Sequence, residues 1–376
     1  MLTLGFHLEN FLEGYAKITL GFTDIISKLR REEPVIIMNV NSGVIDLEKI
    51  VESLFTNLAR NNIYIYDLRE YVPIIPVVLE DFITGLISDK FTVIGWRPYL
   101  PLSLLLNKHK RCVLLAYSRN VVNNVIKYKR KIFGTKTLVV LNPFHNAEVD
   151  NIGFAKVYPP IHKQFFEAGS SVLRDKPQQD FVVFRLMGRF HRSRGVVEAL
   201  RSFKKFKTQR PDAKARLVID TFSESVQKDF RLIGTGIEIR VWNPLKHVRI
   251  GSLSPRRVVD TVIGKYVCSS YIVLPYRFRQ FIEPPLTLLE ALATGSFVVT
   301  TDLLRSFIGD KDVALMVNSK NIVKELVNTF EYLYETHDSS YYWATRRKAF
   351  EYARKTFSYE AVTRTLGDIL NRYAQL

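Results

Sequence analysis

Only two cysteines, Cys112 and Cys268, occur in the 376 residues. They are too few for a disulfide framework and too far apart for a CxxC metal knuckle. That scarcity fits a reducing, cytoplasmic compartment. Long apolar runs are missing too. The most apolar stretch, residues 71–88, is cut by Pro73, Pro76, Glu80 and Asp81, so no transmembrane helix is expected. The opening residues carry Glu9 and Glu13 and no basic cluster, which does not read as a signal peptide. Acid is also in short supply: 37 Asp+Glu stand against 54 Lys+Arg, a net charge of +17. With 47% hydrophobic and 24% charged residues, the composition is otherwise that of a globular chain, which excludes extended disorder.

The charge is uneven. Residues 1–100 hold 9 basic and 13 acidic residues, 101–300 hold 34 and 14, and 301–376 hold 11 and 10. The positive field therefore belongs to the middle of the chain and calls for an anionic partner: nucleic acid, an acidic membrane surface or a phosphorylated small molecule.

The length suggests two domains. Short apolar or β-branched runs alternate with longer helical stretches, the pattern of an α/β chain with parallel sheets. Strands are expected at 34–40, 62–66, 91–95, 112–116 and 137–141, then at 181–187, 215–219, 236–241, 271–275 and 296–300. Helices are expected at 15–31, 46–60 and 119–131, then at 194–207, 223–232, 254–265, 285–294, 320–336 and 340–355. The polar stretch 168–180, with Gly169, two serines, Pro177 and two glutamines, reads as a linker. It separates an amino-terminal domain, 1–167, from a second domain, 181–356, and residues 357–376 form a closing helix.

Two segments carry chemistry. In the first, a strand runs into Gly188-Arg189-Phe190-His191-Arg192-Ser193-Arg194-Gly195 and then a helix. Gly188 lets backbone approach a ligand, and Arg189 and Arg194 can both meet an anion near a helix amino terminus. A solvated basic loop is the plainer alternative. The second segment runs from Leu274 through Glu283-Pro284-Pro285 and Glu290 to Gly295. A mid-helix Glu290 packed against a sheet needs partners, either a nearby Arg or a pair of ribose hydroxyls. Glu283 lies in the strand-to-helix loop, where a solvated carboxylate is the bland reading.

In this order and spacing the two segments resemble the donor-binding half of retaining glycosyltransferases of the GT-B fold, the large group 1 family typified by sucrose and mannosyl transferases. That family's patterns are G-R-x-x-x-E-K-G and E-x7-E-A-x-A-x-G-x-P-V-V. Further agreement lies in Val157-Tyr158-Pro159-Pro160-Ile161, in 249–253 (RIGSL) and in Thr356-Phe357-Ser358-Tyr359-Glu360. The resemblance covers 155–370. Over 1–150 it rests on Gly14 alone.

The resemblance implies two doubly wound Rossmann-like domains facing across a cleft, with the closing helix completing the first, acceptor-side domain. The donor would be a nucleotide sugar, used without metal or other cofactor. Arg189 and Arg194 would stabilise the departing diphosphate. Gly14, Gly188 and Thr287 would line the donor, Ile250 and Leu253 would meet the base, Glu290 the ribose and Glu283 the sugar. Three features depart from the pattern: Glu283 and Glu290 are separated by six residues rather than seven, Pro284-Pro285 replaces Gly-Phe-Gly, and Ser193-Arg194 replaces Glu-Lys.

The basic regions 108–111, 127–131 and 201–210 exceed what a donor site needs. Beside apolar residues they suit an acidic membrane surface, hence a lipid-linked or membrane-proximal acceptor and a peripheral location. A solvated helix face is the alternative. A nucleic-acid-binding protein lacks support from any recognisable module. A binding-only relative without catalysis stays open because of the shortened spacing.

Overall fold

β-Branched and aromatic runs punctuated by helical segments build two parallel sheets in the computed structural model. The structure describes residues 2–7, 14–30, 34–39, 64–67, 91–94, 111–117, 137–141, 143, 154–176, 179–188, 191–221, 230–232, 235–241, 255–278, 284–308 and 312–374. The chain divides into two units. One gathers Met1–Pro160 with Tyr359–Leu376, and the other gathers Ile161–Gln280 with Pro284–Ser358.

In the first unit, β1 (Leu2–His7), β2 (Pro34–Asn39), β3 (Tyr64–Asp67), β4 (Phe91–Ile94), β5 (Arg111–Ala116), β6 (Thr137–Leu141) and β7 (Phe154–Lys156) lie in the order 3-2-1-4-5-6-7. Every pair is parallel. Parallel strands need crossovers, and α1 (Gly14–Arg30) supplies the first. Its buried Ile18, Phe22, Ile25 and Ile26 fall at helical spacing.

The second unit orders β10 (Phe230–Leu232), β11 (Ile237–Val241), β9 (Ala215–Thr221), β8 (Val182–Gly188), β12 (Tyr271–Leu274), β13 (Phe297–Thr301) and β14 (Ala314–Val317) from edge to edge. Only β10 is antiparallel, at one edge. Among the described residues its helices are α2 (Lys163–Asp175), α3 (Val196–Gln209), α4 (Pro255–Val267), α5 (Leu286–Ala293), α6 (Ile322–Glu335) and α7 (Ser340–Phe357), besides a single turn at Arg305–Ile308. Phe184 of β8 stacks on Tyr271 at 5.1 Å and meets Phe330 of α6 edge-on at 4.7 Å. Phe203 and Phe206 of α3 complete this aromatic core, each worth about 1.5–3 kcal/mol of burial. The last helix, α8 (Tyr359–Ala374), belongs to the first unit, where the Tyr359 hydroxyl donates to Gly21 O at 3.4 Å.

In both sheets the chain starts in the middle, works to one edge and returns to build the other. This is the doubly wound order, in which ligands bind beyond the carboxyl ends of the strands at the point of reversal. In the second unit that point lies between β8 and β12.

Some expectations need correction. Residues 168–175 are not linker but the end of α2. Gly169 is small because a Cβ there would stand 2.7 Å from Ala293 O, so it permits close helix packing rather than flexibility. His162 caps the helix start by accepting from Gln164 N at 3.4 Å, and Lys176 closes it in a left-handed turn. Residues 230–232 are strand rather than helix, hydrogen-bonded to β11. β1, β7 and β14 were not anticipated. The expected helices at 46–60 and 119–131 lie outside the described residues.

Candidate functional site

The reversal point of the second sheet is built from strand ends. β8 finishes at Gly188 with φ +122°, where an added Cβ would overlap the Arg194 guanidinium. A short 3-10 turn, Arg192–Arg194, follows, capped by His191 Nδ1, which accepts from Ser193 N at 3.2 Å. Gly195, at φ +63°, then admits α3, and a side chain there would collide with the carbonyl of Pro275. Arg277 fastens the turn from the other side. Its N–H donates to Ser193 O at 2.9 Å, and its guanidinium pairs with Glu198 of α3 at 2.8 Å.

These constraints fix Arg194. Its Nη1 donates to Met187 O at 3.3 Å, and its Cζ stands 5.7 Å from the Tyr276 ring. No carboxylate among the described residues pairs with it. A half-buried guanidinium held by a carbonyl and an aromatic face keeps its charge available to an anion. Arg194, Gly188, Met187, Pro275, Tyr276 and Asp220 line one pocket.

Tyr276, two residues beyond the end of β12, is almost fully buried. Its carbonyl accepts from Thr301 Oγ1 at 2.9 Å, and its hydroxyl lies 3.1 Å from Thr287 Oγ1 on the first turn of α5. One turn further on, Glu290 is only 5% exposed. The Tyr266 hydroxyl of α4 donates to its Oε2 at 2.9 Å. Burial and the nearby Glu290 carboxylate push the Tyr266 hydroxyl well above the usual phenol range, so it stays a donor.

A buried ionic group lies beneath the pocket. Asp220 pairs with Arg185 and, at 2.8 Å, with Lys265. Arg185 also donates to Ser269 Oγ at 2.7 Å. Burial holds the Lys265 ammonium below the ordinary lysine range, partly opposed by Asp220.

Four residues singled out from the sequence thus gather in this unit: Gly188, Arg194, Thr287 and Glu290. Gly14 opens α1 in the first unit. Arg189, Ile250, Leu253 and Glu283 lie outside the described residues. Tyr266, Tyr276, Arg185, Asp220 and Lys265 were not foreseen. Arg185 in FVVFRLM and Asp220 in ARLVID were readable as charges inside apolar strands. The two tyrosines carried no such signal. Among the described residues no cluster of three His, Cys, Asp or Glu is placed to hold a metal ion, and no helix is long and apolar enough to cross a membrane. Of the basic regions, 201–210 falls on and just after α3, with Arg201, Lys204 and Lys205 exposed and Phe203 and Phe206 buried. The stretches 108–110 and 127–131 lie outside the described residues.

No protein-family model matches the chain. No curated protein matches it either. Solved structures do. A glycosyltransferase from Rickettsia africae superposes with a TM-score of 0.65 at 13% identity, covering 99% of this chain and 98% of that one. Anabaena HepE, solved with UDP-glucose, gives 0.62 at 11% identity, covering 99% of this chain and 100% of that one. The α,α-trehalose 6-phosphate synthase of Burkholderia multivorans gives 0.61 at 12%, covering 100% and 99%. The chain has the fold of these enzymes, the GT-B glycosyltransferase fold.

Proposed function

We propose that the protein is a retaining glycosyltransferase that takes a sugar from a nucleotide-sugar donor. The observation that carries this reading is Arg194: a guanidinium with no carboxylate partner among the described residues, at the reversal point of a doubly wound sheet and beside a glycine strand end. Such a position suits a diphosphate. Support comes from HepE, a structure of the same fold that holds UDP and UDP-glucose.

In this reading Arg194 and Arg189 stabilise the charge that develops as the sugar–phosphate bond breaks. The acceptor oxygen bonds to the anomeric carbon on the face the diphosphate leaves, and the acceptor proton passes to a departing phosphate oxygen. The electron pair of the broken bond stays on the nucleoside diphosphate. Glu290, oriented by Tyr266, takes the ribose hydroxyls, Glu283 the sugar hydroxyls and Ile250 and Leu253 the base, with Gly14, Gly188 and Thr287 along the donor. The reaction as proposed needs neither metal nor other cofactor. The exposed cations Arg201, Lys204 and Lys205, added to the basic stretches 108–111 and 127–131, favour a lipid-linked or membrane-proximal acceptor and a peripheral cytoplasmic location.

Thermal shift against a panel of nucleotides and nucleotide sugars tests the donor assignment. Binding to the native state raises stability by about 2.7 kcal/mol at a hundredfold excess over Kd. The expected result is stabilisation by one nucleoside diphosphate and its sugar. A flat response across the panel contradicts the reading, and binding without diphosphate release would mark a relative that binds but does not transfer.

A further inference from the structure

We infer that Tyr276 is a positioning residue: its ring sets the Arg194 guanidinium, and its hydroxyl ties that setting to the helix carrying Glu290. The inference rests on the donor reading above. The turn fixes the Arg194 backbone, whose N–H donates to His191 O at 2.9 Å, but gives its guanidinium few contacts. The one hydrogen bond its guanidinium makes among the described residues, to Met187 O, is long at 3.3 Å, and the glycine beside it offers no side chain to pack on. The Tyr276 ring lies beside the guanidinium, 5.7 Å from Cζ. That ring cannot drift. The Tyr276 N–H donates to Leu274 O at 2.9 Å, and its carbonyl is held by Thr301 at 2.9 Å. Its hydroxyl reaches Thr287 at 3.1 Å, three residues before Glu290 on the same short helix. Glu290 is in turn held by Tyr266.

A chain of contacts therefore runs Arg194–Tyr276–Thr287 and along α5 to Glu290–Tyr266. One end presents a cation and the other a carboxylate. A nucleoside diphosphate carries an anion at one end and ribose hydroxyls near the other, so a fixed separation between the two protein groups is what binding it requires. Tyr276 meets the arginine by its ring and the first turn of α5 by its hydroxyl.

The test is a binding cycle with UDP and GDP, each set against its nucleoside, by calorimetry on the full chain. Tyr276→Leu removes the ring and should weaken the diphosphate about fivefold, the worth of one half-buried cation–π contact. Tyr276→Phe keeps the ring, loses the bond to Thr287 and should cost about twofold. Neither should change nucleoside binding. In an Arg194→Ala background, Tyr276→Leu should have no further effect, because the residue acts through the arginine. Equal loss of nucleoside and diphosphate, or an undiminished effect without Arg194, would show a merely structural tyrosine and overturn the inference. Should Tyr276→Leu not fold, Tyr276→Phe in the two backgrounds decides by the same criteria. Wild-type protein that binds no diphosphate overturns the donor reading and this inference together; wild-type affinity retained by both Tyr276 variants overturns this inference alone.

Discussion

Asp220→Ala should be among the most destabilising single changes in the second unit. Asp220 has no exposed side-chain surface, and it faces two cations, Arg185 at 6% and Lys265 at 12% side-chain exposure. At an effective dielectric of 20 and roughly 3 Å, each attraction is worth about 5 kcal/mol before desolvation is subtracted. Desolvation offsets much of that while all three charges are present. Removing the carboxylate leaves the cost without the attraction, and such losses run to about 3–5 kcal/mol. For a domain of this size that is a fall in Tm of roughly 6–20 °C. Lys265 adds a pH signature. Its folded-state pKa already lies below the ordinary value of 10.5, and losing Asp220 lowers it further. Between that lowered value and 10.5 the unfolded chain binds more protons than the folded one, so the variant's stability should rise with pH through that window. Lys265→Met added to Asp220→Ala should recover part of the loss. Urea unfolding followed by circular dichroism, at pH 7 and 9.5, measures all of this. A cost under about 1 kcal/mol for Asp220→Ala, or no recovery in the double variant, would refute the argument that the cluster is electrically interdependent.

Tyr266→Phe withdraws a donor from the buried Glu290 carboxylate and should cost about 1–3 kcal/mol by the same unfolding assay. His337 lies near Tyr271 and Tyr342, and burial holds its imidazole below the usual 6.5. Its neutral form is the one the fold prefers, so stability is unaffected above pH 6.5 and is lost as pH falls below it. His337→Gln should flatten that acid limb in a pH series of Tm values. Gly264 sits in α4 with nothing within 4 Å of an added Cβ, so Gly264→Ala should stabilise by up to about 1 kcal/mol, the helix-propensity difference, seen as a raised urea midpoint.

Much of the second unit was legible in its sequence because its strands are buried on both faces and read as continuous apolar runs. FVVFRLM, YIVLP and SFVVT fall within a residue or so of β8, β12 and β13. β14, ALMV, escaped because four residues beside charged loops give no period to count. The second half of α2 reads as linker because Gly169 and two serines look flexible by composition, whereas the glycine serves a close helix contact that only three-dimensional packing reveals. Of the site, Gly188 and Arg194 could be found from their place between strand and helix. Glu290 was recognisable as a mid-helix acid needing partners, one of which is Tyr266, 24 residues away. Tyr276 follows a strand as any loop tyrosine might, and nothing local shows that its ring lies near an arginine distant in sequence.

The central claim is that Arg194 meets the diphosphate of a nucleotide-sugar donor. Nucleoside diphosphate release from the donor found by thermal shift, measured for wild type and Arg194→Ala, tests it most directly. Loss of one charge-assisted contact to the leaving group should lower turnover by about 10²–10³, with only a small change in urea midpoint, since no carboxylate among the described residues pairs with Arg194 and would be stranded. Turnover within about threefold of wild type, well short of the loss expected for such a contact, would contradict the claim.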